Sequence, residues 1–187
     1  MDFAKFFRNL TACLLMLWLV GCAQTKQSDS EKAEAVTARI KLAFAYLDYN
    51  DYAKAKENID KALQHDPNHY LPHSVLAYYY QLVGETKQAE AAYQKALKFS
   101  EKDGQARPDV LNNYGTFLCK QHEFDNAYRQ FEQALASKQP YYNQADTLEN
   151  IVLCANLAKN AVKQKEALKQ LEKLDKARAD ELKKTLE

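Results

Sequence analysis

The sequence predicts an all-α fold built of tandem helix pairs, and three observations predict it. Glycine and proline number only four each in 187 residues, so little punctuates the chain into short strands. From Glu31 onward Ala, Leu, Lys, Glu and Gln dominate, all strong helix formers. Most telling, the segment beginning at Val36 aligns with the one beginning at Tyr70. In that single register Leu42 meets Leu76, Ala43 meets Ala77, Tyr46 meets Tyr80, Ala55 meets Ala89, Ile59 meets Tyr93 and Ala62 meets Ala96.

The elements follow in order. Lys5 and Arg8 precede an almost unbroken apolar run, Leu10 to Val20. As a helix this run rises about 16 Å against roughly 30 Å of hydrocarbon, too short to span. Residues 1–21 therefore read as a signal peptide. The tetrad Leu19-Val20-Gly21-Cys22 resembles the lipobox of bacterial lipoproteins. The resemblance implies that Cys22 is acylated, with palmitate-type chains, and becomes the first residue after cleavage. One acyl chain holds a protein only marginally, whereas two or more anchor it. The other reading is an ordinary secretory signal cut near Ala23, with Cys22 incidental. Ala23 rather than Asp after the cysteine favours the outer membrane. Residues 22–34, with the polar "AQTKQSDS", are expected to form a lipidated, flexible tether.

Residues 35–187 are expected to form one repeat domain, with repeats near 36–69, 70–103, 108–141 and 148–181. The third follows the turn-like "DGQAR" and puts Tyr114, Gly115 and Leu118 in its first helix and Ala127, Phe131 and Ala134 in its second. The fourth is weaker, with Cys154, Ala155 and Ala158, then Ala167, Leu171 and Leu174. This pattern resembles the tetratricopeptide repeat, whose unit runs 34 residues. The resemblance implies a superhelix of about four helix pairs. Small residues at Ala43, Ala77, Gly115, Ala55, Ala89 and Ala127 let paired helices approach, and Tyr46, Tyr80, Tyr93 and Phe131 fill the remaining space. Ala177 to Glu187, charged with Leu182 and Leu186 on one side, suits a C-terminal capping helix.

Charge excludes one function class. Without Asp2, Lys5 and Arg8 the 26 basic and 25 acidic residues balance, and no basic stripe interleaved with aromatics marks a nucleic-acid surface. An enzyme is not expected either. There is no glycine-rich phosphate loop and no nucleophile beside a recognisable base, so neither a cofactor nor a small-molecule substrate is expected. His65, His69 and His73 are spaced by four, but Pro67 and Pro72 place them across a turn. They read as exposed polar residues at a repeat junction rather than metal ligands.

Two further features carry expectations. With Cys13 removed and Cys22 acylated, Cys119 and Cys154 are the remaining thiols in an oxidising compartment. They stand in first helices of successive repeats. Either they pair, or they are buried thiols acting as small apolar residues. By family register the first helices line a partner-binding groove through Ile40, Phe44 and Leu47, then Ser74, Tyr78, Gln81 and Leu82, then Asn112, Thr116 and Lys120. The first two sets suit an apolar peptide or amphipathic helix, unless Phe44 and Leu47 pack on the N-terminal flank.

The whole constellation resembles the outer-membrane tetratricopeptide-repeat lipoproteins of type IV pilus biogenesis, the pilotins of the pilus secretin. The residues that carry it are the lipobox at Cys22, "LNNYGTFLCKQHEFDNAYRQFEQAL" and "TLENIVLCANLAKN". It implies a lipid-anchored protein on the periplasmic face of the outer membrane. There it would bind secretin subunits and promote their localisation and multimerisation. Members usually carry about six repeats, whereas this chain has room for about four. An alternative keeps the scaffold as an adaptor for envelope proteases, peptidoglycan enzymes or outer-membrane protein assembly.

Overall fold

The computed structural model describes residues 29–186; the signal peptide and Cys22 lie outside the described residues. The described residues are helical throughout apart from turns, loops and one isolated bridge, and they divide after Pro67 into two compact units.

The first unit holds α1 (residues 29–48) and α2 (Tyr52–His65). Residues 29–34, expected within the tether, are already helical. The run of Glu, Lys and Ala from Glu31 to Ala35 has high helix propensity and joins the buried stripe that starts at Val36. Val36, Ile40, Ala43 and Leu47 recur at spacings of three and four and are buried, as are Ala55, Ile59 and Ala62 of α2. Arg39 of α1 donates to Asn58 Oδ1 at 3.4 Å, and the Lys54 ammonium stands 5.3 Å from the Tyr46 ring centre. The Asp51 carboxylate caps α2 by accepting from the Lys54 backbone N–H at 3.1 Å.

The second unit contains α3 (Tyr70–Leu82), α4 (Thr86–Ser100), α5 (Pro108–Lys120), α6 (Phe124–Leu135), α7 (Gln144–Leu157), α8 (Ala161–Leu174) and α9 (Lys176–Leu186). The pairs α3–α4, α5–α6 and α7–α8 are the repeats, and each later first helix leans on the pair before it. Thus α5 touches α3 and α4, α7 touches α5 and α6, and α9 touches α7 and α8. Ala179 and Leu182 of α9 are buried, while Ala177, Glu181, Lys184 and Thr185 are exposed.

Each turn between paired helices uses one device. Asn50, Gly84, His122 and Lys159 take left-handed φ values of 57°, 80°, 64° and 54°. The following residue then donates to a carbonyl five positions back: Asp51 to Tyr46, Glu85 to Tyr80, Glu123 to Leu118 and Asn160 to Ala155, all at 2.8–2.9 Å. The left-handed residue itself donates three positions back, which completes a Schellman cap on each first helix.

This turn corrects the fourth repeat. Its first helix starts at Gln144, not near Leu148, because the left-handed residue is Lys159. Cys154, Ala155, Ala167 and Leu171 are buried as the apolar pattern requires, but Leu174 is exposed at the end of α8.

The core of the second unit runs through Tyr93, Phe117, Phe131, Val152 and Leu171. Burying one such large side chain contributes about 1.5–3 kcal/mol. Between α4 and α5, "DGQAR" folds as a tight turn: Lys102 and Gln105 exchange backbone hydrogen bonds around Asp103 and Gly104. Gln139 Nε2 donates to the Gln105 carbonyl at 2.8 Å, so this loop also braces the segment after α6.

Candidate functional site: the exposed face of the first helices

Aligning the repeats on their left-handed residues shows which side chains share a face. Six residues before it stand Tyr78, Thr116 and Leu153; two before it stand Leu82, Lys120 and Leu157. Because α3 touches α5 and α5 touches α7, these six positions form one strip across the second unit. Tyr78 and Leu82 are each 40 % exposed, Leu153 is 41 % and Leu157 is 48 % exposed. Each apolar pair is spaced i, i+4, hence on one side of its helix. The strip therefore presents two apolar ridges with Thr116 and Lys120 between them. In the first unit Phe44 takes the equivalent place on α1 and is 42 % exposed.

Polar bonds hold this face rigid from below. Gln81 Nε2 donates to the Tyr93 hydroxyl. The Tyr114 hydroxyl accepts from Gln94 Nε2 at 2.8 Å and donates to Glu90. Burial pushes the Tyr93 phenol well above the ordinary range, although the bond from Gln81 opposes it. Burial, then the hydrogen bond to Glu90, does the same for Tyr114. Both phenols stay neutral under physiological conditions. Asn150 Nδ2 on α7 donates to Asn112 Oδ1 on α5 at 3.0 Å. Further along the same two helices Cys119 and Cys154 form a disulfide, with Cα atoms 5.8 Å apart. Arg178 of α9 bonds to Asp146 and lies 3.6 Å from Glu149, both on α7.

The groove expected from sequence is thereby revised. Phe44, Tyr78, Leu82 and Lys120 are exposed, and Gln81 and Thr116 are half-buried. Ile40, Leu47, Ser74 and Asn112 are buried and line no open surface. Ile40 and Leu47 belong to the buried stripe of α1, whereas Phe44 sits one residue, about 100° of helix, past Ala43. Asn112 is covered by α7 through Asn150, and Ser74 occupies the same register on α3. Leu153 and Leu157 were absent from the expected groove because that groove was drawn only on the first helices of the first three repeats. The signal that would have found them is "LAKN" at residues 157–160, which repeats the "LVGE" turn at 82–85.

The histidines are not alike. His69 Nδ1 caps α3 by accepting from the Leu71 N–H at 3.2 Å. His73, expected to be exposed, is buried beside Phe99, ring centres 5.1 Å apart. Its neighbours Pro72, Ser74 and Val75 are buried with it. Among the described residues no three His, Cys, Asp or Glu side chains gather as a metal site, and no helix is long and apolar enough to cross a membrane.

Antiparallel pairs with a repeated cap, small residues where the helices meet and an exposed first-helix face define a tetratricopeptide-repeat protein. Residues 36–69 match the tetratricopeptide-repeat family. The chain belongs to one family with an uncharacterized Haemophilus influenzae protein, 43 % identical over 173 residues that cover 92 % of this chain and 94 % of that protein. It is also related to the type IV pilus assembly protein PilF of Pseudomonas aeruginosa. The two are 32 % identical over 158 residues, 82 % of this chain and 61 % of PilF. The structure of PilF superposes with a TM-score of 0.69 over 78 % of this chain and 64 % of that one. PilW, a type IV pilus biogenesis factor, superposes with a TM-score of 0.65 at 25 % identity, covering 74 % of this chain and 61 % of PilW. This chain thus spans less than two thirds of both pilus proteins.

Proposed function

We propose that the protein is a scaffold of type IV pilus biogenesis, held at the outer membrane by acyl chains on Cys22. In this reading it binds secretin subunits and promotes their localisation and multimerisation. The relationship to PilF, in sequence and in fold, carries it. The strip of Tyr78, Leu82, Leu153 and Leu157 supports it, since apolar ridges on rigid helices suit an amphipathic segment of another protein. Anchoring would raise the local concentration of docked subunits and so favour ring assembly. No step requires catalysis.

The test is a deletion strain complemented with the wild-type gene or with Cys22→Ser, with secretin monomers and multimers resolved in separated membranes. Loss of multimers on deletion, and their misplacement with Cys22→Ser, is the expected result. Unchanged outer-membrane rings in the deletion strain would overturn the proposal.

A second reading, an adaptor for envelope proteases, peptidoglycan enzymes or outer-membrane protein assembly, draws on one observation. The relative that this chain matches along nearly its whole length is the Haemophilus protein, whereas the match to PilF covers 61 % of it. Intact secretin rings together with a partner from one of these classes, recovered by crosslinking through the α3–α5–α7 strip, would favour it.

A further inference from the structure

Helices α8 and α9 differ from the rest of the second unit in charge. From Lys159 to Leu186 nine basic side chains accompany five acidic ones, whereas from Asn68 to Ala158 eight accompany ten. The excess is largely uncompensated. Lys163 pairs with Glu132, Lys176 with Asp180, Arg178 with Asp146, Glu149 and Asp175, and Lys183 with Glu172 and Asp180. Lys159, Lys165, Lys169, Lys173 and Lys184 make no ion pair among the described residues.

Two of these basic groups frame a cavity. Where the C-terminal end of α9 crosses the N-terminal half of α8, a slot of about 230 Å³ opens, lined by Ala161, Gln164, Lys165, Leu168, Lys183 and Leu186. Half of its lining is aliphatic (Ala161, Leu168 and Leu186), and two of the other residues are the lysines Lys165 and Lys183. Lys183 is held only loosely, at 3.5 Å from Glu172 and 3.7 Å from Asp180. Lys169 lies one helical turn beyond Lys165 on the same side of α8. Val162, next to Ala161 at the slot, is 80 % exposed, so the apolar surface continues outside.

We propose that this slot docks an acidic segment of a partner protein, one aliphatic side chain entering between Leu168 and Leu186 while flanking carboxylates meet Lys165 and Lys183. Charge complementarity selects this occupant. A basic peptide would face the unpaired Lys165 and Lys169 beside the slot, and a wholly apolar one would strip the lysines' water without replacing it. The surface is separate from the α3–α5–α7 strip, so the proposal stands whether or not the secretin reading holds.

The probe is a fluorescent, capped peptide with one leucine between two pairs of glutamates, titrated into the full chain at low salt and followed by anisotropy. Saturable binding is expected, weakened about tenfold or more by Lys165→Glu and by 0.5 M salt, and similarly by serine in place of the peptide's leucine. Lys165 is exposed, so its variant folds; circular dichroism verifies this. The peptide with lysines for glutamates should not bind. Equal binding by wild type and Lys165→Glu would overturn the proposal, as would indifference to the leucine. Binding to phosphatidylglycerol vesicles without binding to the peptide would overturn it too, by assigning the surface to a membrane.

Discussion

A β-carbon placed on Gly115 would stand 2.7 Å from Cε1 of Phe131. Cε1, Cδ1 and Cζ of Phe131 on the second helix crowd the place a methyl would take on the first, and this contact sets how closely α5 and α6 approach. Phe131 is fully buried and cannot swing away. Gly115→Ala is therefore expected to destabilise the protein by about 1–3 kcal/mol through overpacking, measured by urea unfolding. Combining it with Phe131→Leu should cost less than the two single losses added, because the leucine vacates the space the methyl needs.

The turn residues give a prediction of opposite sign. His122 and Lys159 hold the left-handed conformation that Gly84 adopts at the equivalent place, and a side chain there costs about 1–2 kcal/mol. Glycine pays part of that back as backbone entropy. Lys159→Gly should thus stabilise by about 0.5–1 kcal/mol, whereas Gly84→Ala should destabilise by about 1 kcal/mol. Thermal unfolding of the three proteins side by side checks both directions.

The fold was largely legible in the sequence, and the reasons are local. Small residues at Ala77, Gly115, Ala89 and Ala127 and rings at Tyr93 and Phe131 mark where helices of a pair meet, and these are packing requirements that composition reveals. The fourth repeat was misplaced because its turn is built on Lys159, which no composition rule flags as left-handed, and with its register unsettled no groove position was assigned to it. The groove was over-assigned for a different reason. Family register says which helix faces inward, but whether Ser74 or Asn112 sees solvent depends on the neighbouring helix, and the bond from Asn150 to Asn112 joins residues far apart in sequence.

The disulfide closes a loop of 35 residues between Cys119 and Cys154. Cross-linking a loop of that length removes unfolded-chain entropy worth about 3–4 kcal/mol at 25 °C. Cys119→Ser with Cys154→Ser, or reduction of the wild type, is expected to lower unfolding stability by that order. Because the bridge and the Asn112–Asn150 bond both tie α5 to α7, amide exchange should quicken there more than in α3 and α4. Uniform quickening along the chain would show that the bridge acts only through the unfolded state.

Alkaline pH should destabilise the protein through its buried phenols, of which Tyr93 and Tyr114 are the most strongly shifted. Tyr93 and Tyr114 have folded pKa values raised by burial, with the bond to Glu90 adding to the effect in Tyr114. Unfolded tyrosine ionises near pH 10. Below that pH both states bind the proton, and the stability is fully present. Above it the unfolded chain releases protons that the folded chain keeps, so stability falls as pH rises. Tyr93→Phe and Tyr114→Phe should each flatten this fall between pH 9.5 and 11, followed by thermal unfolding, even if each lowers stability at pH 7. An unchanged slope would show that other groups carry the alkaline transition.

The exposed strip offers the test that separates folding from binding. Leu153 and Leu157 leave nearly half their surface in water, so each polar replacement forfeits only part of a leucine's burial, about 1 kcal/mol. Leu153→Ser with Leu157→Ser should lower the unfolding midpoint by only a few degrees and leave the helical fold intact, checked by circular dichroism. The same is expected of Tyr78→Ser with Leu82→Ser, except for a small loss from the stem of Tyr78. If the strip is the partner surface, each double variant should weaken recovery of the pilus partner from solubilised envelopes. The ridges flank Thr116 and Lys120, and an amphipathic segment spanning them would need both, so combining the two should abolish recovery. Full recovery by the folded fourfold variant would move the partner off this face, leaving Phe44 of the first unit and the basic slot at α8 and α9 as the surfaces to examine by the same assay.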